Sequence, residues 1–162
     1  TEEMIALLDS SPGRHILTPT HCLLMDRGRI LVTVRSDDQP PSYVFSSIDE
    51  MRLSGLFTDL HITGPSDDPL PQSRLTACLD FSLVDFPVSV RHWEPGDRFA
   101  PLGMSKLKKI SDFLIDLKVP LPEKEKVLLL LSGDKVMWVM GYRIDERFRV
   151  TERTEHILIM TL

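Results

Sequence analysis

Val127-Leu128-Leu129-Leu130-Leu131-Ser132-Gly133-Asp134-Lys135-Val136-Met137-Trp138-Val139-Met140 spells out a β-hairpin. Two apolar and β-branched runs flank a Ser-Gly-Asp turn, and both strands are apolar enough to be buried on each face. Just upstream, Ile110, Phe113, Leu114 and Leu117 fall at i, i+3, i+4 and i+7, the stripe of an amphipathic helix. Pro120 and Pro122 are expected to end it, with Lys118 near its C-terminus, where a cation suits the helix dipole. Downstream, Glu155 to Leu162 reads as a last strand, with His156, Leu158, Met160 and Leu162 on one face.

The N-terminal half reads as further strands. Leu23-Leu24-Met25 and Ile30-Leu31-Val32-Thr33-Val34 flank a turn at Asp26-Arg27-Gly28-Arg29. Tyr43 to Phe45, Leu56 to Thr63, Arg74 to Leu79 and Phe86 to Trp93 follow as strands. Loops at 37–42 and 64–71 separate them. Glu2 to Leu8 reads as the end of a helix, broken by Ser10-Ser11-Pro12-Gly13. Strands with one main amphipathic helix predict a β-rich α+β fold. Residues 1–12 are expected to be a helix end or linker, and 13–162 one domain.

Composition narrows the function. A chain of 162 residues that is 42% hydrophobic can bury a core without disulfides. Cys22 and Cys78, far apart and outside any C-x-x-C spacing, are expected to be reduced thiols. No apolar run reaches the length of a membrane span, so a membrane role is not expected. The net charge of -5 argues against indiscriminate coating of nucleic acid. That charge is unevenly distributed. Residues 1–90 carry an acidic surplus of seven, and residues 91–162 a basic surplus of two. A local basic face in the C-terminal half is compatible with this balance.

The run Arg91-His92-Trp93-Glu94-Pro95-Gly96-Asp97-Arg98-Phe99-Ala100-Pro101-Leu102-Gly103-Met104 holds two Gly, two Pro, two Arg and two aromatic residues. It reads as a rigid, shaped turn. It leads into Lys106, Lys108 and Lys109, where the helix begins. Cations there oppose the dipole unless an anion sits among them and the free backbone N–H groups. The alternative is a helix that starts later, with Ser111 as its N-cap and the lysines in a solvated loop. In Gly141-Tyr142-Arg143-Ile144-Asp145-Glu146-Arg147-Phe148, internal ion pairing is expected for Arg143 and Asp145. Arg147 beside Phe148 could offer a guanidinium next to a ring. The same basic-aromatic pairing occurs at Arg91 with Trp93 and at Arg98 with Phe99, although such rings more often serve as core. None of the five histidines has a ligand-type partner at helical spacing, so no metal site is expected. No nucleophile-elbow, dinucleotide or phosphate-loop motif occurs, so no catalytic residue is assigned.

The Arg91–Met104 run, its continuation Lys108-Lys109-Ile110-Ser111-Asp112-Phe113-Leu114-Ile115-Asp116, the hairpin end Val136-Met137-Trp138-Val139-Met140-Gly141 and Arg143-Ile144-Asp145-Glu146-Arg147-Phe148 together resemble the C-terminal domain of the tRNA(Ile)-lysidine synthetases. The likeness spans roughly residues 85–162, with a looser fit at 20–32. It implies a parent ligase that uses ATP to adenylate the wobble cytidine of an isoleucine tRNA with a CAU anticodon. Free lysine then displaces AMP to form lysidine. The ATP site, with its magnesium, belongs to an N-terminal domain carrying a Ser-Gly-Gly-x-Asp-Ser loop. This chain holds no such loop and is expected to be the inactive C-terminal part of a cytoplasmic enzyme. The resemblance also implies a sandwich-like fold similar to a domain of the phenylalanyl-tRNA synthetase β-subunit, a β-sandwich with a flanking helix, and contact with the acceptor-stem side of tRNA(Ile). A homodimerisation or purely structural role is the alternative. Charge alone picks the candidate tRNA contacts: Arg91, Arg98, Lys106, Lys108, Lys109 and Arg147.

Overall fold

The structure, a computed structural model, describes residues 15–17, 21–26, 29–34 and 42–162. The helix expected at Glu2 to Leu8, and the linker at 1–12, lie outside the described residues. The N-terminal hairpin forms as read. Strands β1 (His15–Leu17), β2 (His21–Asp26) and β3 (Arg29–Val34) make an antiparallel sheet, with Asp26 paired to Arg29; the middle of the turn read at 26–29 lies outside the described residues.

The remainder is built on two antiparallel sheets. One has the order β12-β11-β10-β7-β4, from Tyr43–Phe45 (β4), Val88–His92 (β7), Leu128–Ser132 (β10), Lys135–Val139 (β11) and Arg143–Ile144 (β12). The other has the order β5-β13-β6, from Asp59–Thr63 (β5), Thr76–Asp80 (β6) and Ile157–Thr161 (β13). A core between them joins Val88, Val90, Leu130, Met137 and Trp138 from the first sheet to Leu60, Ala77, Leu79, Leu158 and Met160 from the second. The expected α+β sandwich is what the chain forms, and the hairpin at its centre supplies both layers' contacts.

The apolar character of that hairpin on both faces has a structural reason. Leu129, Leu131, Val136 and Val139 point to the opposite side, where helix α2 (Ile110–Asp116) covers them with Ile110, Phe113 and Leu114. A bulge between Leu130 and Leu131 shifts the register, pairing Leu130 with Trp138 and Leu131 with Val136. Met137 is the extra residue, so it and Trp138 can both face the inter-sheet core. The last strand is buried on both faces, since Ile157 and Ile159 pack with Cys78 while Leu158 and Met160 enter the main core. His156, expected in that strand, lies exposed just before it.

Three local expectations change. Helix α1 (Ile48–Leu53) was not anticipated, although Ser47 and Glu50 have the spacing of an N-terminal cap. The Ser47 hydroxyl accepts from the Glu50 N–H at 3.3 Å, and the Glu50 carboxylate accepts from the Ser46 N–H at 2.6 Å. Pro122 does not merely break a helix. It lies in the first turn of a new short one, α3 (Leu121–Lys124), where a missing N–H costs nothing. Helix α2 begins at Ile110, with Lys109 rather than Ser111 at the cap position and no side-chain cap bond.

Helix α2 also ends earlier than its apolar stripe, leaving Leu117 49% exposed. Lys118 turns left-handed with φ 56°. Its N–H donates to the Ile115 carbonyl at 2.8 Å and the Val119 N–H to the Leu114 carbonyl at 3.0 Å. This pairing is a Schellman stop, a place that ordinarily selects glycine. A lysine there bears roughly 1–2 kcal/mol of left-handed strain, against roughly 0.5–1 kcal/mol of extra chain entropy for glycine. Lys118→Gly is therefore expected to stabilise the fold by about 0.5–1 kcal/mol, raising the urea midpoint. A lower midpoint would show that the lysine side chain supplies contacts worth more than the strain.

Candidate nucleic-acid interface

The rigid turn and the lysines are held together by a small ribbon. Strand β8 (Arg98–Phe99) pairs antiparallel with β9 (Lys108–Lys109), setting Arg98 opposite Lys109 and Phe99 opposite Lys108. Opposed residues of an antiparallel pair project to the same face. Phe99 is fully buried and meets Phe113 edge-to-face at 4.9 Å and 82°. The ribbon thus roots itself in the core beneath α2, and its alternate residues Arg98 and Lys109 are exposed. Neither has a carboxylate within ion-pair distance among the described residues. Lys106 is exposed in the loop joining the two strands.

The other candidate cations are differently placed. Arg91 lies on the helix-facing side of β7 and forks onto Asp97, with Nη1 donating to Oδ2 at 2.8 Å and Nη2 to Oδ1 at 2.9 Å. Asp97 also accepts from the Glu94 N–H at 2.7 Å, closing the Pro95-Gly96 turn. Burial pushes the Asp97 carboxyl up, but hydrogen bonds from Arg91 and from the Glu94 amide, with the Arg91 charge, hold it below its ordinary value. Arg91 is thus a brace inside the turn. Lys108 is ion-paired to Asp116 at the far end of α2. Two cations expected on one surface with Lys109 are therefore occupied by partners of the chain's own.

The second motif folds onto the first. Asp145 is fully buried. Its carboxylate accepts from the Ala100 N–H, the Arg147 N–H, Arg147 Nε and Arg147 Nη2, each at 2.8 Å. The Glu146 N–H donates to the Ala100 carbonyl at 2.7 Å, and the Leu102 N–H to the Ile144 carbonyl at 3.0 Å. The Glu146 carboxylate accepts from the Gly103 N–H at 2.7 Å. The internal ion pairing expected for Asp145 forms, with Arg147 two residues on through a tight turn, while Arg143 has no carboxylate partner among the described residues. Glu146 pairs instead with Arg149 at 3.0 Å.

The rings paired with candidate cations in the sequence, Trp93, Phe99 and Phe148, are not displayed as free stacking platforms. Phe99 and Phe148 are core, at 0% and 4% exposure. Trp93 is tied down by its indole N–H, which donates to the Lys124 carbonyl at 2.6 Å. Among the described residues no three His, Cys, Asp or Glu side chains gather as a metal site, and no helix is long and apolar enough to cross a membrane.

A β-sandwich with one covering helix, carrying an exposed cationic ribbon beside a cross-stitched loop, defines an α+β domain. Residues 88–160 match the family model described as the TilS substrate C-terminal domain, and this part of the chain belongs to that family. The chain is 36% identical to the tRNA(Ile)-lysidine synthase of Parabacteroides distasonis over 99% of its length, and 33% identical to that of Bacteroides thetaiotaomicron over 94%. It spans only 37% and 33% of those relatives. A crystal structure of a TilS C-terminal domain overlays with a TM-score of 0.57, covering 75% of this chain and 95% of that one at 16% identity, which is a likeness of fold.

Proposed function

We propose that the chain is the tRNA-recognition part of a tRNA(Ile)-lysidine synthase, and that Arg98 and Lys109, with Lys106, contact the RNA backbone. The observation that carries this reading is the Arg98–Lys109 cross-strand pair. Like charges directly opposed cost the fold roughly 0.2–1 kcal/mol. The chain keeps them together, exposed and free of carboxylates among the described residues, on a ribbon rooted in the core. An anionic ligand would convert that repulsion into attraction. Duplex RNA suits such a surface, because it is recognised mainly through phosphates, 2′-hydroxyls and shape. On this reading the acceptor-stem side of tRNA(Ile) is the contact. The adenylation by ATP and magnesium and the attack by lysine occur on an N-terminal domain of a cytoplasmic enzyme, with no catalytic group supplied by this chain.

Binding of tRNA(Ile) measured against salt tests the proposal. Arg98→Ala and Lys109→Ala are each expected to weaken binding and to lower the log–log salt slope by about 0.7–0.9. Lys108→Ala is expected to matter less, since Asp116 already holds that ammonium. Arg91→Ala is expected to lower stability rather than affinity. Salt-independent binding, or unchanged slopes in both ribbon variants, would reject the interface. A second reading, docking on another protein surface, draws on the exposure of Leu102, Met104 and Leu107 at 41%, 44% and 53%. Concentration-dependent dimerisation in ultracentrifugation would favour it.

A further inference from the structure

A groove of about 870 Å³ opens between the loop before β6 and the segments around β12, with Leu102 of the loop joining β8 to β9 also at its wall. Arg74 stands on one side, and Arg143 and Arg149 on the other, with Tyr142, Leu70 and Trp138 also lining it. Arg98, Lys106, Lys108 and Lys109 take no part in it. No aspartate or glutamate is among the lining residues, although the chain as a whole is acidic. Arg149 is partly neutralised by Glu146 at 3.0 Å. Arg74 and Arg143 are exposed and have no carboxylate partner among the described residues.

The chemistry of the lining selects a ligand class. Guanidinium groups present planar forks that match phosphate oxygens in pairs. Tyr142 offers a ring and a hydroxyl; burial and then the Glu123 carboxylate push that hydroxyl's pKa up, with the Arg74 charge opposing them. Leu70 and its flanking prolines give an apolar wall against which a flat ring can lie. The volume falls in the range of small-molecule sites and is ample for one nucleotide. We propose that this groove binds a phosphorylated nucleotide, its phosphate held by Arg74, Arg143 and Arg149 and its base laid against Tyr142. The nucleotide is either free or exposed in a single strand. The groove shares none of the ribbon's cations, so the two sites are separable by experiment.

Fluorescence anisotropy at low salt with the full 162-residue chain distinguishes the cases. The probes are labelled adenosine 5′-monophosphate, a short single-stranded RNA and a short RNA duplex. The mononucleotide, the single strand or both are expected to bind saturably, and which of them does identifies the source. Arg74→Ala and Arg143→Ala are each expected to weaken that binding about tenfold. Arg143→Lys should recover part of it by restoring the charge without the fork. Tyr142→Ala should weaken it several-fold. Arg98→Ala and Lys109→Ala should leave it unchanged while weakening the duplex. Circular dichroism confirms that each variant is folded. The site is overturned if neither small probe saturates, if both arginine variants bind like the parent chain, or if Lys109→Ala weakens the small probes equally. Duplex binding by the ribbon is scored separately, so loss of one site does not imply loss of the other.

Discussion

Asp145→Ala is expected to destabilise the chain by about 3 kcal/mol. The carboxylate is inaccessible to solvent and accepts four hydrogen bonds. Its removal strands the buried Ala100 N–H and the part-buried Arg147 N–H, each at roughly 1–3 kcal/mol. The Arg147 side chain is 40% exposed, so water can partly resolvate its freed guanidinium, which keeps the total toward the low end for a broken buried pair. The reverse substitution should be milder. Arg147→Ala leaves Asp145 with two backbone N–H donors, so about 1–2 kcal/mol is expected. Urea unfolding with an unchanged m-value measures both. If Arg147→Ala proved the costlier change, the aspartate would not be the centre of this junction.

Phe99→Ala carries the other large effect, about 3–5 kcal/mol. The ring is fully buried beneath α2 and makes an edge-to-face contact with Phe113, a geometry that adds roughly 0.5–1.5 kcal/mol to simple burial. The consequence extends to function, because Arg98 is the next residue on the same short strand. Loss of the anchor should let β8 and β9 separate and weaken duplex RNA binding in a variant that retains every charge. Phe99→Leu fills most of the space and is expected to cost about 1–1.5 kcal/mol, with near-normal binding. A Phe99→Ala chain that is destabilised yet binds RNA like the parent would show that ribbon geometry is irrelevant to recognition.

Both substitutions act where the sequence indicated the kind of role, an ion-paired aspartate and a core ring, but not the partners. The hairpin at 127–140, the stripe of Ile110, Phe113 and Leu114, and most strand positions were legible, because burial imposes a period that a single segment displays. The extent of α2 was less so. Leu117 continues the apolar stripe, but a left-handed Lys118 ends the helix before it can be buried. Helix α1 has a legible cap in Ser47 and Glu50, but its single turn and a half is too short to show a period. The candidate cations were legible as residues and not as a surface. Charge at Arg91, Lys108 and Arg147 reads the same as charge at Arg98 and Lys109 until Asp97, Asp116 and Asp145 are seen to reach the first three.

Local chemistry in the chain alone determined the α+β class, the central hairpin and its covering helix, the stiffness of the 91–104 turn and the likeness of its linked motifs to one family. These depend on periodicity and turn residues, which act over a few positions. Tertiary structure alone decided which charges remain unpaired. It brought Arg98 opposite Lys109, and it placed Asp145 against Ala100. It also set Arg74 across a groove from Arg143. The physical reason is common to all three. An ion pair or a cleft is defined by side chains that meet in space, and these are separated by eleven, forty-five and sixty-nine positions in the chain.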